Sequence, residues 1–312
     1  MSKLNANANA NANANANAGV SLGGLFGGTR FNTYKIGKQA FNPNEAVVPA
    51  DSGEGYPGFQ TLGHWDAENR AWIYLREFAE LQPNWFALLN TVARDTWSGW
   101  KAQGTPPSAN LEDAILDMMD AAGEREDRFA EIIHQHDGEG TINYWMGMLM
   151  IDAPRQPNTY LLIRTARKIG EMIVMCLKNE LNAARPSQLS PAVVPMLDPP
   201  QTASYPAGHA LQAYLISYLL FRALPRLPQT VKPAAWIETH KGLFALSRRV
   251  SDNRKIAGLH FDVDCEAGFL IAKEIDGWFD TWLKPNAPSP AYANSQFKQL
   301  LARAASEFPQ FK

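Results

Sequence analysis

Apolar side chains recur every three or four positions along most of the chain after residue 60. Leu75 and Phe78 belong to one such face, and Ile169 and Ile173 belong to another within residues 160–181. This period is that of an amphipathic helix. Runs of alternating β-branched residues between turn dipeptides, which would predict strands, are absent from the sequence. The pattern therefore predicts an all-α helical bundle.

Prolines interrupt this pattern between two of the predicted helices. Six of them fall within Pro186–Pro206, and the next helix is expected to begin at Gly208. Free backbone N–H groups and the helix dipole at such a start favour a bound anion. Asn110, with Asp113 three residues on, is the predicted cap of an earlier helix. Helices are expected over residues 160–181, 208–219, 232–249, 262–283 and 294–306.

The first 60 residues differ from the rest of the chain. Residues 5–18 are a strict Asn-Ala repeat, a glycine-rich stretch follows, and residues 29–60 are rich in Pro, Gly and Asn. Such a segment has few large apolar side chains to bury, which favours disorder. We therefore divide the chain into a disordered tail and extended segment over 1–60, an N-terminal helical region over 61–155, and a helical core over 156–312.

Composition excludes some classes of function. With 29 Lys and Arg against 31 Asp and Glu, the net charge is −2, which argues against nucleic-acid binding through a broad basic surface. Cys176 and Cys265 are too few for a disulfide framework. The longest apolar stretch, over residues 210–219, is shorter than a membrane-spanning helix needs, and no apolar signal-peptide core follows Met1. We expect a cytoplasmic protein without a membrane span.

Three segments carry cations and histidines at regular spacing. Lys178 and Arg185 are seven residues apart near the end of a predicted helix, which predicts that both lie on one helix face. Taken singly, such residues usually complement a helix dipole or form surface ion pairs. Taken together, they could hold a tetrahedral oxyanion and attack its central atom. The three segments contribute Lys178, Arg185, Gly208, His209, Arg254, His260 and Asp264.

These segments resemble the signature of the type 2 phosphatidic-acid phosphatase (PAP2) superfamily, which includes class A acid phosphatases and vanadium-dependent haloperoxidases. The signature reads K-x6-RP, then P-S-G-H, then S-R-x5-H-x3-D, and its spacings recur within about residues 170–270. The resemblance implies the helical bundle of that superfamily. Two serines of the signature are Ala207 and Asn253 here. The first change removes a hydroxyl donor, which predicts weaker anion binding.

The resemblance also implies a role for each matching residue. Lys178, Arg185 and Arg254, with the Gly208 N–H, would bind the oxyanion and neutralise charge in the transition state. His260 would be the nucleophile that forms a phosphohistidine, and Asp264 would hold the other nitrogen of its ring. His209 would be the general acid–base, which protonates the leaving oxygen and then activates water. This is metal-independent hydrolysis of a small-molecule phosphate ester, without a cofactor.

Two alternatives remain open from the sequence. The same pocket could bind vanadate as the cofactor of a haloperoxidase, with His260 ligating vanadium and His209 assisting peroxide binding, for oxidation of a halide and then an organic substrate. The aromatic or histidine markers of the known halide pockets are Thr202 and Met175 here, whereas the long helical region before the core is more typical of haloperoxidases. A non-catalytic oxyanion-binding relative is the second alternative, although anion binding alone needs neither histidine.

Other polar clusters in the sequence give weaker indications of a functional site. The segment His134–Asp137 is interpreted as a solvated helix end rather than a metal site, because alternate histidines on a helix point apart. Asp262 could add charge to the pocket or face solvent. The apolar helix faces are also compatible with a homo-oligomer.

Overall fold

A computed structural model describes residues 65–102, 109–224, 234–284 and 295–308. The predicted tail over residues 1–60 lies outside these residues, so its disorder stays a prediction. The predicted boundary between the two helical regions also stays a prediction. The described residues form helices and turns without a strand, which confirms the all-α class.

The described residues contain a series of α-helices. They are α1 Ala67–Leu81, α2 Trp85–Ala102, α3 Ala109–Ala121, α4 Arg125–His134, α5 Gly138–Met148, α6 Pro157–Leu181, α7 Pro186–Leu189, α8 Gly208–Ala223, α9 Ala234–Ile256, α10 Asp262–Trp282 and α11 Gln296–Ser306. A 3₁₀ turn joins α3 to α4.

Helix α8 lies at the centre of the bundle and packs against α6, α9 and α10. Its sequence is apolar on nearly every side, as expected for a helix surrounded by protein. Buried side chains of α1 and α2 belong to the same hydrophobic core as those of α6, α8 and α10. The two predicted helical regions therefore share one core.

Carboxylates fasten the C-terminal helix to the bundle. The Glu77 carboxylate accepts hydrogen bonds from the N–H groups of Gln296 and Phe297, at 2.6 and 2.8 Å, where α11 begins. The Glu307 carboxylate after α11 accepts from the N–H groups of Asn158 and Thr159 at the start of α6. Each carboxylate satisfies otherwise unpaired donors at the positive end of a helix dipole.

Several predicted boundaries change in the structure. Helix α8 begins at Gly208 as predicted but continues to Ala223, and α9 extends to Ile256, so that Arg254 is helical. The predicted cap at Asn110 is wrong, because Asn110 lies inside α3 and its side chain donates to the Trp100 carbonyl. No helix over the described ranges is both long and apolar enough to cross a membrane.

Candidate active site

Two cationic side chains, Lys178 at the end of α6 and Arg185 in the segment after it, point into the interior. Lys178 is on the last turn of α6, but the helix ends at Leu181, and Asn182 adopts a left-handed conformation at φ 44°. Arg185 is extended before Pro186, as expected for a residue that precedes proline. The prediction that both cations share a helix face is therefore wrong, although both side chains are buried and reach the same site.

Backbone carbonyls of one loop hold the Lys178 ammonium. Its Nζ donates to the Ala203 carbonyl and, at 3.1 Å, to the Ser204 carbonyl. Burial and the nearby Arg185 charge, opposed by the charge of Asp264, together lower the pKa of Lys178 to about 7. Near neutral pH the ligand-free lysine is therefore divided between its charged and neutral forms.

The Arg185 guanidinium lies between the loop before Ser204 and His260. Its Nε donates to the Thr202 carbonyl at 3.0 Å, and its Nη1 donates to the Leu259 carbonyl at 3.1 Å. The same Nη1 lies 3.3 Å from His260 Nε2. Burial lowers the pKa of Arg185, and the charge of Asp264 opposes this shift. The guanidinium is thus fixed beside the predicted nucleophile.

The start of α8 contributes a helix N-terminus and a histidine. Ala207 is buried and its N–H donates to the Asp264 carbonyl at 2.9 Å, so the chain enters α8 at Gly208 directly beside α10. Gly268 of α10 permits this approach, because a Cβ there would lie 2.9 Å from the Ala207 carbonyl oxygen. The first N–H groups of α8, including that of Gly208, lack intrahelical partners.

His209, the next residue, has a defined tautomer. Its Nε2 lies 2.9 Å from the Gln135 carbonyl oxygen, which can only accept, so Nε2 carries the hydrogen. Burial lowers the pKa of His209 well below its usual value, and the charge of Arg254 acts in the same direction. The ligand-free ring is neutral, and Nδ1 is the nitrogen that can take up and release a proton.

A tight turn connects Arg254 on α9 with His260 before α10. Gly258 adopts φ +79°, a left-handed conformation that favours glycine, and a Cβ there would lie 3.0 Å from Pro195 Cα. The Leu259 N–H donates to the Arg254 carbonyl at 3.0 Å. This turn reverses the chain and brings both functional side chains into the interior.

Arg254 is the most unusual group of the site. Its side chain is 0% exposed, yet Nε, Nη1 and Nη2 all lack a hydrogen-bond partner among the described residues. Burial lowers its pKa to about 10, so the guanidinium still stays charged at neutral pH. An unpaired buried charge is costly, and a bound anion would satisfy it. The orphaned donors therefore mark a position for an anion.

His260, Asp264 and Ser204 form a buried hydrogen-bonded group. His260 Nδ1 lies 3.2 Å from Asp264 Oδ2, which also accepts from Ser204 Oγ at 2.5 Å and from the Phe261 N–H at 3.1 Å. Because a carboxylate accepts, Nδ1 carries the hydrogen and Nε2 keeps its lone pair. Burial lowers the pKa of His260 to about 4, although Asp264 opposes this shift. The neutral ring presents a nucleophilic nitrogen next to Arg185.

Replacing Ser204 by Ala is expected to lower the free energy of unfolding by about 1.5–3 kcal/mol, because a buried carboxylate loses a short hydrogen bond. Urea unfolding would measure the change. Ser306→Ala is the matched control, since Ser306 is exposed and its Oγ donates to the nearby Arg303 carbonyl. Equal effects of the two substitutions would contradict the assigned role of Ser204.

The structure also places the other polar residues that the sequence analysis singled out. Asn253 does not face the anion position, because its Nδ2 donates to Glu131 and Gln135 and its Oδ1 accepts from Arg128. Asp262 faces solvent in an ion pair with Lys255 at 2.6 Å. His134 and His136 are exposed, as a solvated helix end requires, but Gln135 between them is fully buried.

Sequence reasoning missed Ser204 and Gln135, which both contact the predicted histidines. Ser204 lies only five residues before His209, yet it has no fixed spacing to His260, the ring that it contacts. Gln135 is 74 residues from His209. Contacts over such separations arise from the packing of helices and leave no spacing in the sequence.

A cavity of about 520 Å³ lies beside Arg185. Its walls come from the end of α6, from α7 and from the loop before Ser204. Besides Arg185, side-chain amides and hydroxyls supply its polar groups, including those of Gln188, Gln201 and Thr202. The structure thus offers room for a small polar group next to the guanidinium.

The charges of the site do not balance without a ligand. Lys178, Arg185 and Arg254 contribute three cations, whereas Asp264, which contacts His260 and acts on Lys178 and Arg185 at longer range, contributes one carboxylate. A buried excess of positive charge favours an anion with several acceptor oxygens. The neutral His260 and His209 next to these cations could attack such an anion and transfer protons.

Comparison with known proteins gives little further guidance. Neither a protein-family model nor a curated protein matches the chain. Among solved structures, the chain is similar to a transmembrane PAP2-type phosphatidylglycerolphosphate phosphatase from Bacillus subtilis. The two are 16% identical over 70% of this chain and 98% of that chain, with a TM-score of 0.31. The site is accordingly defined by the contacts described above.

Proposed function

We propose that the chain is a metal-independent phosphate-ester hydrolase of the PAP2 type. The observation that carries this proposal is the fully buried guanidinium of Arg254, which has no hydrogen-bond partner among the described residues and, like His260 of the His260–Asp264 pair, acts on His209. A tetrahedral dianion satisfies the donors of Arg254 and offsets the charges of Lys178 and Arg185. A nucleophile and a proton carrier next to that anion are what hydrolysis needs beyond binding.

The proposed reaction has two balanced steps. His260 Nε2 forms a bond to phosphorus while the bond from phosphorus to the alcohol oxygen breaks, and His209 gives its proton to that oxygen. Water then attacks the phosphohistidine, His209 takes a proton from it, and the N–P bond breaks to release phosphate. The dianion raises the pKa of His209 on binding, which supplies the protonated ring for the first step.

Side-chain cations support the transition state in this scheme. Lys178, Arg185 and Arg254 neutralise the charge on the non-bridging oxygens, so the proposed route uses neither a divalent metal nor a cofactor. Asp264 and Ser204 hold His260 with its reactive Nε2 unprotonated. The polar cavity beside Arg185 suits a small hydrophilic alcohol as the leaving group.

Vanadate fits the same donors, because it is also a tetrahedral oxyanion. Arg254, Lys178 and Arg185 would hold its oxygens, and His260 Nε2 is an unprotonated nitrogen of the kind that binds a metal. Bound vanadate would supply peroxide activation in the haloperoxidase alternative. No contact among the described residues favours this alternative over hydrolysis.

Hydrolysis of p-nitrophenyl phosphate by the purified full chain tests the proposal. We expect turnover without added metal and inhibition by orthovanadate, since the anion competes for Arg254. Absence of turnover on this and other small phosphomonoesters would overturn the proposal. Bromide oxidation by hydrogen peroxide after vanadate loading would then establish the haloperoxidase alternative.

Anion affinity is expected to fall as the pH rises through about 7. The ligand-free Lys178 loses its proton there, whereas a bound dianion keeps it protonated. Each pH unit above that point should weaken binding by about tenfold until Lys178 titrates in the complex. Calorimetry with sulfate, which stays a dianion over the range, measures this, and affinity that does not change with pH would contradict it. The affinity of the Lys178→Arg variant for sulfate should change less with pH.

A further inference from the structure

Gln135 is a buried polar residue that belongs to none of the three motifs. It directly follows α4 and is 0% exposed, although its neighbours His134 and His136 are exposed. Burying an amide between two solvated residues needs compensation by hydrogen bonds. Its backbone carbonyl supplies one, since it accepts from His209 Nε2 at 2.9 Å.

The orientation of the Gln135 amide is fixed by its neighbours. Asn253 Nδ2 donates to Gln135 Oε1 at 2.9 Å and to Glu131 Oε2 at 3.1 Å, and Asn253 Oδ1 accepts from Arg128 at 3.3 Å. A carboxylate on one side and a guanidinium on the other allow only this orientation of Asn253. The oxygen of Gln135 therefore faces Asn253, and its Nε2 points elsewhere.

The Nε2 amide of Gln135 is an orphaned donor. It is buried, and no acceptor in the described part of the chain lies at ordinary hydrogen-bond distance from it, the Tyr144 phenol being at longer range. Arg254, the residue after Asn253, has three orphaned donors of its own. Asn253, which donates to Gln135, directly precedes Arg254 on α9, and His209 donates to the Gln135 carbonyl, so the two sets of unpaired donors lie in one region with His209. Burial raises the pKa of the neighbouring Tyr144 phenol, and the Gln135 amide and the Arg254 charge each oppose that shift.

We propose that Gln135 Nε2 donates a hydrogen bond to the oxyanion that Arg254 binds, next to the general acid–base His209. This assignment rests on the proposed function and adds a neutral donor to its three cations. A neutral amide binds an oxyanion without adding to the buried positive charge. It supplies a donor to a site where Ala207 replaces the hydroxyl of the superfamily signature.

Gln135→Glu tests this role most sharply. A Glu side chain keeps an oxygen for Asn253 but replaces the donor by a carboxylate that can pair with Arg254. We expect the dissociation constant for inorganic phosphate, measured by calorimetry on the full chain, to rise by about tenfold or more. The thermal midpoint of the ligand-free protein should stay equal or rise, because Arg254 gains a partner. If Gln135 had only a structural role, its replacement would not weaken phosphate binding while leaving the thermal midpoint equal or higher.

Two further variants complete the test. Gln135→Met keeps the volume without a carboxylate and should weaken phosphate binding by about tenfold if Glu prevents folding. Gln156→Glu is the matched control, since its Oε1 accepts from the Asp152 N–H far from the motifs in sequence. Phosphate affinity of Gln135→Glu or Gln135→Met within twofold of the wild type would overturn the role of Gln135. Wild-type protein that binds no phosphate would instead overturn the oxyanion site itself.

Discussion

His260→Ala is expected to reduce the hydrolysis of p-nitrophenyl phosphate by about 10³-fold or more, because the substitution removes the attacking nitrogen. Lys178, Arg185 and Arg254 remain, so the variant should still bind phosphate. Steady-state kinetics and calorimetry on the same preparation separate the two effects. A loss of turnover with retained binding assigns His260 to the chemical step.

His134→Ala is the matched control for this experiment. His134 is an exposed histidine at the end of α4, and its ring touches Tyr144 rather than the site histidines. Its removal should change turnover by less than about twofold, as for most surface substitutions. If His260→Ala kept a tenth or more of the wild-type rate, His260 would not be the nucleophile.

Arg254→Met is expected to change binding and stability in opposite directions. The buried guanidinium has no hydrogen-bond partner among the residues that the structure describes, so an apolar side chain of similar length should raise the free energy of unfolding by about 1–3 kcal/mol. Loss of the same charge should weaken phosphate binding by about 10²-fold or more. Urea unfolding in phosphate-free buffer and calorimetry measure the two effects.

Arg248→Met on the same helix controls for the loss of a surface arginine. Arg248 is 79% exposed and makes a long ion pair of 3.8 Å with Asp252, which contributes little to stability. Its replacement should leave both quantities nearly unchanged. An Arg254→Met protein that is destabilised and binds phosphate normally would show that Arg254 is a structural residue.

The helical class and the start of the central helix could be predicted from the sequence because both follow from local patterns. The 3.6-residue period after residue 60 predicts helices, and Pro206 before the apolar run predicts a helix start at Gly208. The relation between Lys178 and Arg185 was predicted wrongly. Asn182, a residue that tolerates a left-handed helix end, and Pro186, which disfavours helix at Arg185, are the local signals against a continuous helix.

The identities of the candidate site residues came from motif spacing, but their contacts did not. The family resemblance implied that Asp264 holds a ring nitrogen of His260, and these two side chains are 3.2 Å apart. The third member of that group, Ser204, and the partner of His209, Gln135, come from a loop and a helix end that packing brings inward. No periodicity in the sequence records such placements, because they depend on how the helices pack.

Burial is the property of the site that the sequence could least reveal. A cation, a histidine and a carboxylate at helical spacing are equally compatible with a surface ion-pair face. In the structure Arg254, His260 and Asp264 are 0%, 4% and 1% exposed. Their burial leaves the guanidinium unpaired and the imidazole neutral, and these two properties support an oxyanion site.

Trapping of the covalent intermediate tests the central claim most directly. The full chain would be mixed rapidly with a phosphate ester labelled at phosphorus, quenched in alkali, in which phosphohistidine survives, and digested for peptide mapping. The proposed mechanism predicts label on the peptide that contains His260, and no label when excess orthovanadate is present. Sustained hydrolysis without label on the protein, or with label on another residue, would contradict it.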